Sequence, residues 1–101
     1  NGNHGMVRQW QKIFYNNRFS ASELTHHTPD YVKLAEAMGA VGLRMEQKSE
    51  VKDVIKKMLE INDKPVLVDC VVDPEDMVFP MVPAGGSNDV IILNEEDLKK
   101  L

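Results

Sequence analysis

The spacing of apolar residues along the chain predicts three helices. Residues 5–15 and 29–38 each place apolar side chains three or four positions apart, as one face of a helix requires. Residues 51–59 carry a longer stripe at i, i+3, i+4, i+7 and i+8. Thr28 and Ser49 precede the second and third stripes, so we expect their hydroxyl groups to cap these two helices.

Two further apolar runs predict strands on either side of the third helix. Residues 41–45 alternate apolar side chains with Gly42 and Arg44, which is typical of a strand with one wetter face. Residues 66–72 are nearly continuous and β-branched, which favours a strand covered on both faces. A strand, a helix and a strand within about 30 residues predict a βαβ unit with parallel strands and a right-handed crossover. The expected fold class is therefore α/β, a βαβ core flanked by helices.

After Asp73 the regular spacing ends, because prolines and glycines interrupt the chain. We expect residues 80–101 to form an irregular C-terminal tail. Asn94 is placed to cap a short helix that would run through Leu101.

Composition and charge indicate a small globular domain and disfavour some kinds of partner. The 101 residues suffice for one small domain, and 43% are hydrophobic, a normal globular value. A formal net charge of −4 with scattered basic residues argues against a nucleic-acid or anionic-membrane partner. One cysteine, Cys70, suits a reducing compartment, and we expect it to be an inert core thiol. The chain begins without Met, which suggests a piece of a longer protein.

Four stretches carry recognisable motifs, at residues 1–11, 14–20, 29–39 and 80–86. Each is modest alone, but in this order and spacing they cover nearly the whole chain. Together they resemble the acetohydroxyacid synthase (acetolactate synthase) family. The matching part is the C-terminal portion of the thiamine-diphosphate-binding domain of the large catalytic subunit. The run GMVRQW at residues 5–10 distinguishes this family from pyruvate decarboxylases and oxidases of the same fold.

The resemblance implies an activity for an intact parent protein. The family are transferases (carboligases) that use thiamine diphosphate and Mg²⁺. They decarboxylate pyruvate and condense the hydroxyethyl unit with pyruvate or 2-ketobutyrate, in branched-chain amino-acid biosynthesis. They also bind FAD, form homo-oligomers and take a regulatory small subunit. They are cytoplasmic, or lie in plastids or mitochondria in eukaryotes. The FAD domain and the catalytic glutamate lie outside this chain, so we expect the isolated chain to be inactive.

The resemblance also implies a cofactor site at the amino terminus. Asn1 would bind Mg²⁺ through its side-chain oxygen and Asn3 through its backbone carbonyl, which are hard oxygen ligands of the kind Mg²⁺ prefers. Gly2 would permit the tight turn between them. The helix that begins near Gly5 would direct its free N–H groups at the diphosphate. The implied cofactor-binding residues are Asn1, Gly2, Asn3, His4, Gly5 and Met6, although His4 stands where the family usually has Leu.

A substrate channel is implied by a second set of residues, with the 80–93 tail folding over the active site. Its expected members are Met6, Val7, Trp10, Ala84 and Gly85. From the residue pattern alone, Trp10 would be interpreted as a core aromatic on a helix stripe, and residues 1–3 as a frayed terminus. His26 and His27 are expected to be exposed loop residues.

Two alternative functions remain open at this point. The chain could be a non-catalytic binding or interaction module, because a βαβ core is compatible with either role. It could also come from another thiamine-diphosphate enzyme such as a pyruvate oxidase, which Gln9, Trp10 and residues 80–86 disfavour.

Overall fold

A computed structural model describes residues 1–100, without the side chain of Lys100. Two compact units are present. Asn1 and Thr25–Asp73 form the βαβ unit, and Gly2–Leu24 with the chain from Pro74 onwards forms the clamp unit. The elements, in chain order, are α1 (Gly5–Phe14), α2 (Tyr31–Ala37), β1 (Val41–Met45), α3 (Val51–Glu60) and β2 (Val66–Cys70), with short 3-10 helices at Lys48–Glu50 and Glu95–Lys100.

The predicted parallel βαβ arrangement is confirmed. β1 and β2 pair in parallel, with Val41 opposite Val66 and Met45 opposite Cys70. α2 packs against both strands and α3 against β1. β2 is two residues shorter than predicted, because its partner β1 ends at Met45. The N–H of Val71 makes one more hydrogen bond, to the carbonyl of Met45 at 2.9 Å.

The cover over β2 is thinner than the sequence predicts. Leu67 is 37% exposed, and neither face of the two-stranded sheet is fully buried in this chain. Cys70 is also exposed, so its interpretation as a core thiol was wrong. The helix expected over 5–15 is present as α1, but it belongs to the clamp unit.

The helix caps differ from the predicted ones. Asp30, and not Thr28, caps α2, since its carboxylate accepts the backbone N–H groups of Val32 at 3.1 Å and Lys33 at 3.2 Å. The hydroxyl of Thr28 instead donates to the carbonyl of Thr25. A carboxylate is the stronger acceptor at the positive end of a helix, which explains the preference.

The segment that leads into α3 is organised by Glu50, and not by the expected cap Ser49. The Glu50 carboxylate accepts the backbone N–H groups of Glu46 at 2.9 Å and Gln47 at 3.0 Å. These two hydrogen bonds lower the pKa of Glu50. A 3-10 turn, Lys48–Glu50, therefore precedes the first residue of α3.

Arg44 joins the three elements of the βαβ unit that meet at the start of α2. Its Nε lies 3.0 Å from Asp69, its register partner in β2, and a terminal nitrogen lies 3.0 Å from Asp30. Asp69 is the polar interruption in the apolar run of β2, and this ion pair accounts for it. The three side chains are between 20% and 38% exposed, so solvent weakens the attraction.

Gly42 in β1 lets the backbone of α2 approach the sheet directly. A Cβ atom at this position would lie 2.6 Å from the carbonyl oxygen of Val32 and 2.8 Å from its Cα. Both neighbours are backbone atoms, which cannot swing aside as the end of a side chain can.

In the clamp unit, backbone hydrogen bonds fix two segments outside α1, one at residues 22–24 and one at residues 81–92. The N–H of His4 donates to the carbonyl of Ser22 at 2.8 Å, and that of Leu24 to Gly2 at 2.9 Å. Met81 and Ile92 exchange two backbone hydrogen bonds, at 2.9 and 2.8 Å, which closes the tail into a loop. Ile92 is 2% exposed.

The predicted cap at Asn94 is confirmed, because its side-chain oxygen accepts the N–H of Glu96 at 2.8 Å. The helix that follows is of the 3-10 type, and Leu101, its predicted last residue, lies outside the described residues. Across residues 1–100, no helix combines the length and the apolar character that crossing a membrane would require.

We predict that Gly42→Ala lowers the free energy of unfolding by about 1–3 kcal/mol, because the methyl group forces α2 away from β1. Gly39→Asn is the matched control. Gly39 has a φ of +83° and open space around it, and asparagine tolerates that conformation. The control should change stability by less than about 0.5 kcal/mol. Chemical denaturation of both variants provides the comparison, and an equal loss in the two would contradict this account of Gly42.

Asp30 should titrate below the usual range for an aspartate. The backbone N–H of Lys33, and to a lesser degree the charge of Arg44, lower its pKa. A lowered pKa in the folded state stabilises the fold above the ordinary pKa, and this stabilisation is lost as the pH falls through the folded value. Arg44→Gln should return the pKa of Asp30 only part of the way towards its ordinary value, because the hydrogen bond from the N–H of Lys33 remains. NMR titration of the carboxyl carbon measures it, with Lys64→Gln as the charge-matched control.

Candidate functional site

The amino-terminal turn has the conformation that the sequence predicts for Gly2. Its φ is +66°, in the left-handed region where a side chain is unfavourable. Asn3 next forms an isolated antiparallel bridge with Glu23 and is partly buried. The turn is thus held in place before α1 begins.

α1 begins with its N–H groups unsatisfied by any side-chain cap among the described residues. His4 occupies the cap position, and its exposed side chain makes no hydrogen bond to the helix. The first turn also contains no acidic residue. The helix therefore places no carboxylate of its own first turn at the positive end of its dipole, which suits an anion.

An open cleft of about 220 Å³ lies between α1 and the tail of the clamp unit; we call it the aromatic cleft. Trp10 and Phe14, four residues apart on α1, form one wall with ring centroids 5.2 Å apart and tilted by 58°. The remaining lining residues are Tyr15, Pro83 and Ala84. The cleft thus joins residues that lie some seventy positions apart in the sequence.

The structure brings some of the predicted channel residues together but not all of them. Trp10 and Ala84 line the aromatic cleft, and Gly85 follows directly with a φ of +79°. Met6 and Val7 are 51% and 54% exposed and are not among the lining residues. Trp10 is partly buried and faces this cleft, so it is not a fully buried core residue.

Gln9 is a buried polar residue that the sequence reasoning did not identify, with 4% exposure. Its side-chain oxygen accepts the N–H of Val78 at 2.8 Å, and its nitrogen donates to the Val78 carbonyl at 3.0 Å. The same nitrogen lies 3.3 Å from the sulfur of Met81. One carboxamide therefore satisfies both backbone groups of Val78, two residues before the tail begins.

Two cations on α1 hold the segment that precedes Val78. A terminal nitrogen of Arg8 lies 2.6 Å from one oxygen of Glu75, and Lys12 lies 2.9 Å from the other. The hydrogen bond from Lys12 and then that from Arg8 lower the pKa of Glu75. Arg8 also lies 3.3 Å from Glu23 and 4.4 Å above the ring of Phe19. Polar residues within an amphipathic helix were visible in the sequence, but their distant partners were not.

The remaining candidate groups form no further site. Within residues 1–100, no group of three or more His, Cys, Asp or Glu side chains is arranged to hold a metal ion. His26 and His27 are exposed on a turn, as predicted.

Comparison with known proteins identifies similar sequences. The family model of the thiamine pyrophosphate enzyme C-terminal TPP-binding domain matches residues 1–70. An acetolactate synthase of Mycobacterium bovis is 54% identical over 94 residues, which cover 90% of this chain and 15% of that protein. An acetolactate synthase large subunit of Corynebacterium glutamicum is 47% identical over 91 residues, or 87% of this chain and 14% of that protein. A mitochondrial acetolactate synthase catalytic subunit of Aspergillus candidus is 36% identical over 100 residues, or 98% and 14%.

These matches confirm the predicted resemblance to acetolactate synthase large subunits. The chain spans about 15% of the length of these relatives. Since the family model covers residues 1–70 of 101, the chain belongs to the thiamine pyrophosphate enzymes, and these residues belong to their C-terminal TPP-binding domain.

Proposed function

We propose that this chain is part of an acetolactate synthase catalytic subunit. The intact protein would decarboxylate pyruvate and transfer the two-carbon hydroxyethyl unit to a second pyruvate or to 2-ketobutyrate. The observation that carries this proposal is the 54% identity to an acetolactate synthase over 90% of the chain. Fold similarity alone would not suffice, because one fold hosts many activities.

The residues at the start of α1 fit the diphosphate group of the cofactor. The helix begins without a capping side chain or an acidic residue in its first turn, so its N–H groups are suited to an anion. We assign this role to residues 1–6. The oxygens of Asn1 and Asn3 are suitable ligands for Mg²⁺, which would neutralise the diphosphate. Thiamine diphosphate supplies the electron sink that decarboxylation of a 2-keto acid requires.

The aromatic cleft is the proposed entrance for the second 2-keto acid. Trp10 and Phe14 present an apolar aromatic wall, and Pro83 and Ala84 face it from the tail. An apolar wall of this kind can bind the alkyl end of a small keto acid and exclude water from the reacting carbonyl group. We include Gly85, Met6 and Val7 in the channel, although Met6 and Val7 do not line the aromatic cleft itself.

The other partners follow from the same proposal. FAD would bind outside this chain, and so would the glutamate that activates the cofactor. The catalytic subunits would form homo-oligomers and take a regulatory small subunit. The compartment would be the cytoplasm in bacteria, and a plastid or mitochondrion in eukaryotes.

The 101 residues alone should not form acetolactate from pyruvate, even with thiamine diphosphate, Mg²⁺ and FAD present. The complete protein that contains them should do so under the same conditions. Colorimetric detection of acetoin after acid treatment measures the product. Turnover by the short chain, or none by the complete protein, would contradict the proposed division of the active site.

Asn1→Ala in the complete protein should weaken Mg²⁺ binding by at least the roughly 10–100-fold that loss of a supporting ligand costs. Asn3→Ala should have a smaller effect, because only its backbone carbonyl is assigned to the metal. The Mg²⁺ concentration for half-maximal activity provides the measurement. Asn62→Ala is the matched control, since Asn62 bonds only locally, to the carbonyl of Glu60. An unchanged Mg²⁺ requirement for Asn1→Ala would exclude Asn1 as a ligand.

A further inference from the structure

We propose that Gln9 is a positioning residue that sets the width of the aromatic cleft and thereby the choice between 2-keto acids. The inference about selectivity rests on the proposed function. The inference about cleft geometry does not, because it concerns the clamp unit alone. Gln9 does not itself line the aromatic cleft. It acts through the segment that leads from Val78 to the cleft wall.

The first step is the connection from α1 to the tail. Gln9 precedes Trp10 on α1, and its buried carboxamide bonds to both backbone groups of Val78. A neutral amide is suited to this task, since it offers one acceptor and two donors at fixed separation. Removing it would leave a part-buried N–H and a part-buried carbonyl without their partner.

The second step runs from Val78 to the opposite wall of the cleft. Five residues later the chain reaches Pro83 and then Ala84, which face Trp10. Between them, Met81 is held twice: its sulfur by Gln9, and its backbone by Ile92. The short connection leaves little freedom for the wall to move once Val78 and Met81 are fixed.

The neighbouring ion pairs are less suited to this role. Glu75 is 55% exposed, and solvent and salt weaken such pairs. Arg8 and Lys12 therefore hold residues 74–75, ahead of the tail, and Gln9 holds Val78, which is closer in sequence to the cleft wall. Gln9 is 4% exposed and Val78 is 60% exposed, so the hydrogen bonds between them are part-buried, and water is excluded mainly on the side of the carboxamide.

The consequence for the reaction concerns one methylene group, the difference between pyruvate and 2-ketobutyrate. A cleft wall that shifts by a fraction of an ångström changes the contacts made by that group. Discrimination for one methylene in an apolar pocket is about 10–200-fold, so the position of Pro83 and Ala84 can decide the preferred acceptor.

The chain contains one tryptophan, so fluorescence reports on the cleft directly. Gln9→Met keeps the length of the side chain and removes the amide. We expect a red shift of Trp10 emission and a larger acrylamide quenching constant. Gln11→Met is the matched control: Gln11 lies on the same helix, but its amide bonds to Ser20 and Ser22. This control should leave the emission and the quenching constant unchanged.

If Gln9→Met does not fold, Gln9→Asn answers the same question. The shorter amide keeps its donors and acceptor but cannot reach both Val78 groups, and the same shift is expected. Unaltered Trp10 emission in the folded variant, or an equal change in the Gln11 variant, would overturn the proposed positioning role.

The second measurement uses the complete protein with both keto acids in competition. Gln9→Met should change the ratio of acetohydroxybutyrate to acetolactate by about tenfold, the lower end of what one methylene is worth. Gln11→Met should leave the ratio unchanged, even if it lowers total activity. An unchanged ratio with altered Trp10 fluorescence would overturn the selectivity role and leave the geometry standing. If the complete unmodified protein forms neither product, the proposed function fails, and fluorescence still decides the positioning role.

Discussion

The clamp unit depends on a buried carboxamide that replaces a backbone partner. Gln9 pairs with Val78 as a neighbouring strand would, but from the side of a helix. This contact fixes the tail beside α1 without requiring a sheet. It also explains why a segment without regular secondary structure can form one wall of a cleft with Trp10 on the other.

Polar contacts fix the geometry of both units because little apolar surface is fully buried. Among the described residues, only Ala35 and Ile92 are apolar and less than 5% exposed. Each unit instead uses one bridging cation: Arg44 between two carboxylates in the βαβ unit, and Arg8 between Glu23 and Glu75 in the clamp unit. Such contacts specify geometry well and contribute modestly to stability where they are exposed.

The sequence predicted the elements whose signals are local. The spacing of apolar residues located α1, α3 and both strands, and the βαβ order predicted their parallel pairing, as observed. It did not predict which polar group caps a helix. Thr28 and Asp30 both lie near the start of α2, and the carboxylate of Asp30, the stronger acceptor, caps it.

The sequence by itself determined the family, through motifs such as GMVRQW, and the turn at Gly2, whose left-handed backbone favours glycine. Only the tertiary structure decided that Trp10 meets Ala84, that Gln9 holds Val78, and that Cys70 is exposed. The physical reason is the distance along the chain over which each interaction acts. Backbone preferences and helix periodicity act over a few residues, whereas a hydrogen bond between positions 69 apart depends on how the whole chain folds.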